Sequence, residues 1–227
     1  MIMSTIAQNL QDVETRIASA CQAAGRERVS VRLLAVSKTF GAPEVRLAHA
    51  AGQRAFGENY IQEGVDKIQA LQDLDLEWHC IGPVQSNKTR WVAVHFDWVH
   101  SIDRLKTAER LSAQRPPTLP PLQVCIQVNL DGGENKSGVA PEQALALAEA
   151  VAVLPHLQLR GIMTIPEPGD EETTRAVHAQ AHALWLHLKS AGLQLDTLSM
   201  GMSSDLDVAV SEGSTMVRIG TAIFGQR

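Results

Sequence analysis

A chain of 227 residues with 44% hydrophobic content has enough apolar mass for one large core, which argues against disorder. A formal net charge of −5 and 4% aromatic residues, with Tyr60 the single tyrosine, leave neither the basic face nor the stacking platforms of a nucleic-acid binder. Cys21, Cys80 and Cys125 are too far apart for a metal motif or a disulfide framework, the usage of a reducing cytoplasm. No apolar run is long enough for a membrane span, and Met1–Thr5 has no basic segment leading into an apolar one, so no secretory signal is expected.

Along the chain, apolar residues first recur at helical spacing. Ile6, Leu10, Val13, Ile17, Cys21 and Ala24 predict a helix capped by Ser4 or Thr5 and stopped by Gly25. Val31–Val36 is a short, branched apolar run and reads as a buried parallel strand ending at Ser37-Lys38. Helices and strands then alternate. Helices are expected from Pro43 to Ala51, Tyr60 to Leu71, Lys88 to Val94 and Arg104 to Ala113, with strands at Arg54–Gly57, Glu77–Ile81 and Trp98–His100. The proline-rich stretch Arg115–Pro121 has the same pattern on both sides and reads as a connection inside one domain.

The second half repeats the scheme. Strands are expected at Leu122–Val128, Leu157–Ile162, Leu195–Leu198 and Met216–Ile219. Between them come helices from Pro141 to Leu154, from Asp170 to a stop at Gly192, and from Asp205 to Val210. The long helix after Asp170 is expected to bury Val177, Ala181, Leu184, Leu188 and Ala191. Eight βα units in one domain spanning 1–227 predict a TIM-type (β/α)8 barrel. An open doubly wound sheet would need a glycine-rich turn after the first strand, and Ser37-Lys38-Thr39-Phe40-Gly41 is not one.

A barrel carries its chemistry at the C-terminal ends of its strands. Lys38 stands at the first of these. Poor solvation there favours its neutral amine, a nucleophile for carbonyl groups, although a lysine can also snorkel outward. Gly201-Met202-Ser203-Ser204-Asp205 and Arg218-Ile219-Gly220-Thr221 follow the seventh strand and span the end of the eighth, where barrels often bind phosphate. A nucleophilic lysine opposite such a cradle suits two phosphorylated carbonyl compounds: pyridoxal phosphate (PLP), or a sugar phosphate in a Schiff-base aldolase. His178 and His182, at i and i+4, read as a solvated helix face and not as a zinc site. Trp78, Trp91, Trp98 and Trp185 read as packing residues, and Cys80 as a buried structural thiol.

Several of these segments resemble one known family. Ala35-Val36-Ser37-Lys38, Phe56-Gly57-Glu58-Asn59-Tyr60, Trp78–Lys88, Leu159–Thr164, Ser199–Asp205 and Arg218–Gly225 are similar, in order, to the YggS/PROSC family of pyridoxal phosphate homeostasis proteins. The resemblance implies a barrel like the N-terminal domain of alanine racemase, with PLP held as a Schiff base on Lys38. It also implies phosphate contacts from Ser203, Ser204, Gly220 and Thr221. Arg218 would face the pyridine nitrogen, Asn59 would lie near the ring, His79 and Met200 would line the pocket, and Lys136 would serve secondary binding or transfer.

On this reading the chain is a cytoplasmic, non-catalytic PLP carrier, with PLP-dependent apo-enzymes as possible recipients. No nucleic acid, membrane or metal partner is expected, and no exposed apolar seam demands a dimer. A fold type III amino-acid racemase or a Schiff-base aldolase is the alternative.

Overall fold

The computed structural model describes residues 2–132 and 137–226. Eight parallel strands close into a barrel in sequence order. They are β1 (Arg32–Val36), β2 (Ala55–Glu58), β3 (Glu77–Cys80), β4 (Trp98–Ile102), β5 (Leu122–Gln127), β6 (Leu157–Met163), β7 (Thr197–Ser199) and β8 (Met216–Ile219). Around them run α1 (Ile2–Ala23), α2 (Ala42–Ala50), α3 (Ile61–Ala70), α4 (Thr89–His95), α5 (Leu105–Gln114), α6 (Pro141–Ala152), α7 (Glu171–Ser190), α8 (Leu206–Ser211) and α9 (Thr221–Phe224). The expected (β/α)8 barrel is the fold. It closes where β1 pairs with β8, setting Leu34 opposite Arg218.

Strands covered by helices are buried on both faces, so they read as continuous apolar runs. The structure separates the two faces. On β1, Leu33 and Ala35 join the large cluster beneath the helices, while Leu34 packs with Ala55 and Met216. Trp98, Cys125 and Met163 form another cluster of the barrel interior. A bulge interrupts β6, where Val124 pairs with Leu159 but Cys125 pairs with Gly161. The extra residue, Arg160, binds Asp196 at 2.9 Å and covers the Trp98 ring at 4.9 Å. A Cβ on Gly161 would stand 1.6 Å from the Thr197 carbonyl oxygen, so only glycine lets β6 and β7 approach there.

Three local expectations are corrected. The first helix begins at Ile2, so Ser4 and Thr5 lie inside it and do not cap it. The buried stripe from Ile6 to Cys21 carries the helix past this hydroxyl pair, whose lower propensity costs only a few tenths of a kcal/mol, of order ~0.5. Asp170 does cap α7, accepting from the Thr173 N–H at 2.8 Å. Yet the stripe that α7 buries is Thr174, His178, Ala181, Trp185 and Leu188; Val177 and Leu184 are half-buried and Ala191 is exposed. His178 is fully buried because Asp205 gives its Nε2 a partner at 2.8 Å, which removes the cost of an unpaired polar group. Trp91 is 41% exposed, unlike the other three tryptophans, and stacks on His95. Among the described residues, no helix is long and apolar enough to cross a membrane.

Candidate functional site

The C-terminal ends of the strands open into a cavity of about 700 Å³, within the size range of small-molecule sites. Its wall brings together Lys38, Asn59, Ser203, Ser204, Arg218, Gly220 and Thr221. Phe40, Ile81, Ile165 and Met202 give it an apolar side. Phe40 is held in place by stacking on Phe224, with ring centroids 5.1 Å apart.

Two expected wall residues are elsewhere. Met200 is fully buried in the cluster beneath the helices, because it follows Ser199 on β7 and points to the opposite face. His79 is also fully buried and is not part of the wall; its ring lies in the barrel interior, stacked on Trp98 at 5.1 Å. Lys136 lies outside the described residues.

Lys38 is half-buried on the wall, less enclosed than a strand-end lysine in an apolar barrel would suggest. Its position is fixed through its two neighbours. The Lys67 ammonium, from α3, donates to the Ser37 carbonyl, to Glu58 Oε1 and to Glu63 Oε1, each at 2.7 Å. Ser37 Oγ donates to the same Glu58 oxygen at 2.6 Å, and Glu63 accepts from the Thr39 N–H at 2.5 Å. Thr39 has φ +67°, a conformation a β-branched residue rarely adopts, and this bond stabilises it. Burial pushes the Glu58 carboxyl up, against the pull of Lys67 and Ser37. None of this support was visible in sequence, because Lys67 and Glu63 occupy helix positions that ordinarily carry surface charge.

On the same wall as Lys38, the N–H groups of Ser203, Ser204, Gly220 and Thr221 have no acceptor among the described residues. They supply a cluster of donors at the wall, of the kind that holds an anion. The helices that follow are short, α8 with 6 residues and α9 with 4, so local N–H and hydroxyl groups carry this cradle and not a long helix dipole. A Cβ on Gly220 would lie 3.1 Å from the Val36 carbonyl oxygen, so glycine keeps the cradle close to the end of β1. Helix α1 braces both loops. Arg16 donates to the Ser203 carbonyl at 2.7 Å, and Asn9 donates to the Ile223 carbonyl at 2.8 Å. Asp205 ties the first loop to α7, accepting from the Met202 N–H at 2.7 Å and from His178. Burial works to raise the Asp205 carboxyl, but His178 and the Met202 N–H hold it low.

Arg218 is 5% exposed and donates to Ser199 Oγ and to the Thr164 carbonyl. Among the described residues no carboxylate touches it, and burial lowers its pKa to about 10, so it stays cationic at neutral pH. A buried cation without an ion-pair partner favours an anion or a lone pair beside it. The cavity therefore fits PLP: an amine for the aldehyde, donors for the phosphate and a cation for the ring nitrogen. The Cys80 thiol is pushed up to about 12 by burial, which makes it an inert core group.

Residues 8–227 match the alanine racemase N-terminal domain family. The chain is 61% identical to the pyridoxal phosphate homeostasis protein of Pseudomonas aeruginosa, covering 99% of this chain and 97% of that one. It superposes with a TM-score of 0.85 on PipY of Synechococcus elongatus, solved with PLP bound, at 40% identity over 97% of this chain and 100% of that one. Likeness to alanine racemase of Clostridium difficile, at 15% identity and a TM-score of 0.79, concerns the fold, and covers 99% of this chain but 57% of the racemase. The chain belongs to the pyridoxal phosphate homeostasis proteins, built on the alanine racemase N-terminal domain.

Proposed function

We propose that this protein binds PLP and serves as a carrier and buffer for intracellular vitamin B6, with little or no catalysis. The observation that carries this reading is the presence, in one cavity, of the Lys38 amine and the donor cradle of Ser203, Ser204, Gly220 and Thr221. The Lys38 amine would hold the cofactor aldehyde through a reversible bond made with loss of water and undone by water, so release would require no redox partner. Asn59, on the cavity wall, would lie beside the cofactor ring, and Lys136 would assist secondary binding or transfer. PLP-dependent apo-enzymes in the cytoplasm are the recipients, and the three buried free cysteines suit a reducing compartment.

Two features favour storage over turnover. Arg218 remains cationic and disfavours a proton on the ring nitrogen, which weakens the ring as an electron sink. Racemisation also needs acid–base groups on both faces of the substrate carbon. Apart from Lys38 and Arg218, the described cavity wall has no Tyr, His, Cys, Asp, Glu or Lys, and Tyr60 is 59% exposed outside it.

Purified protein mixed with PLP should turn yellow, and borohydride should fix the cofactor on the peptide carrying Lys38. Lys38→Ala should lose the fixed adduct while keeping the fold, as read by circular dichroism. An adduct that persists at another lysine overturns the assignment of Lys38. Sustained racemisation of an amino acid, or cleavage of a sugar phosphate, by the pure protein overturns the carrier reading.

A further inference from the structure

Arg218 is oriented from inside the barrel by a continuous column of side chains. Its Nη1 donates to Ser199 Oγ at 2.8 Å, and Ser199 Oγ lies 3.0 Å from His100 Nδ1. His100 Nε2 lies 2.9 Å from His79 Nδ1, and His79 Nε2 lies 2.5 Å from Glu77 Oε1. The same Glu77 oxygen pairs with Arg32 at 2.7 Å. Ser199, His100 and His79 are fully buried, whereas Glu77 and Arg32 line a separate cleft that also contains Arg54 and Asp97. The column thus runs from that cleft to the proposed PLP cavity.

The direction of these bonds follows from donor and acceptor counting. A neutral imidazole has one donor nitrogen and one acceptor nitrogen, while a guanidinium only donates and a carboxylate only accepts. Glu77 therefore requires the proton of His79 on Nε2. This leaves His79 Nδ1 to accept from His100 Nε2–H, and His100 Nδ1 to accept from the Ser199 hydroxyl. Ser199 then keeps a lone pair for Arg218. With both rings neutral and Glu77 ionised, this is the arrangement in which every contact has one donor and one acceptor. Trp98 fixes the ring planes, stacking on His79 with an interplanar angle of 11° and contacting His100 at 5.8 Å between centroids.

We propose that His79 and His100 are positioning residues for the cavity: with Ser199 they form a one-way hydrogen-bond relay that aims Arg218 at the ligand and couples its charge to Glu77. Bonds aligned in this way polarise one another, and the relay links Arg218 to the Glu77 carboxylate, since no described carboxylate touches it directly. The tautomers assigned to His79 and His100 stand without a ligand. Their effect on affinity rests on the reading of the cavity as a PLP site.

Two-bond proton–nitrogen spectra of the apo-protein with labelled histidine test the relay itself. Both His79 and His100, identified by single phenylalanine variants, should appear at neutral pH as Nε2–H tautomers. An Nδ1–H tautomer at either ring overturns the proposal. For the effect on binding, His100→Phe should weaken the affinity for PLP by roughly tenfold or more, the scale seen when supporting hydrogen bonds of a site are removed. His100→Gln, which offers one acceptor and one donor, should recover most of it. Should His100→Phe fail to fold, Ser199→Ala breaks the same relay and should show the same loss. Unchanged affinity in a folded variant, with PLP still fixed on Lys38 by borohydride, overturns the relay and leaves the binding site standing. A wild type that does not fix PLP overturns the binding site, and the tautomer spectra then judge the relay alone.

Discussion

Replacing Lys67 with methionine is expected to cost about 3–5 kcal/mol of folding stability, the range for breaking a buried ion pair from one side. Lys67 is 5% exposed and Glu58 is fully buried. Glu58 Oε2 has no hydrogen-bond partner among the described residues, so the carboxylate depends on Oε1, which accepts from Lys67 and Ser37. Methionine fills the volume but leaves Glu58 with one donor, and the Ser37 carbonyl and Glu63 each lose one of two, keeping the Phe40 and Thr39 N–H groups respectively. Burial already pushes the Glu58 carboxyl up, so without Lys67 it is protonated over a wider range.

That fixes the pH dependence of the variant. A carboxyl whose folded pKa lies above its unfolded value adds stability below the unfolded value, and this is lost as the pH rises through the folded one. Lys67→Met should therefore be closer to wild type at pH 5 than at pH 8 in urea unfolding. Adding Glu58→Gln should return part of the loss at pH 8, because it removes the buried charge. A loss below about 1 kcal/mol at pH 8 would count Lys67 as an ordinary surface lysine. Because Lys67 and Glu63 hold the residues on either side of Lys38, the folded fraction of Lys67→Met should also bind PLP more weakly.

Acidification should destabilise the protein through the barrel interior. Burial lowers the pKa of His79, against the pull of Glu77, and lowers that of His100 well below its usual value, with His79, Arg218 and Arg32 adding to the effect. In the unfolded chain both rings take up a proton near pH 6.5. Their contribution is thus complete above about pH 6.5 and is lost as the pH falls toward the folded values. Each ring that stays neutral in the fold costs stability with a slope that rises from about 0.7 kcal/mol per pH unit at pH 6.5 to about 1.4 at lower pH.

Glu58 and Asp97, both raised by burial, act in the opposite sense over part of the same range. The informative measurement is accordingly the difference between wild type and His100→Phe. Between pH 6.5 and 5.5 the two stability curves should converge by about 1 kcal/mol, because the unfolded ring goes from half to almost fully protonated over that range. Parallel curves would mean that His100 takes up a proton as readily in the folded protein as in the unfolded chain, so that the barrel interior does not hold it neutral.

Much of the barrel is readable from the amino-acid order. Short branched runs such as Leu122–Gln127 are separated by amphipathic stretches and by stops such as Gly25 and Gly192, both at positive φ. That punctuation is local, and so is the glycine and hydroxyl chemistry of the loops at 201–204 and 220–221. Lys38 was legible as well, by its place after the first strand.

What only the tertiary structure decided is which polar residues face inward and what they meet. Burial of both strand faces hides the alternation that would separate inside from outside. His79, read as part of the pocket wall, sits in the barrel interior, and His178, read as solvated, is buried on Asp205. His100 and Ser199 find their partners only when the barrel closes, because residues from β3, β4, β7 and β8 meet inside a closed sheet whatever their distance along the chain, and Lys67 reaches Ser37 and Glu58 only when α3 folds back onto the strand ends. Hydrophobic periodicity specifies the elements, while closure specifies the neighbours on which buried charges and hydrogen bonds depend.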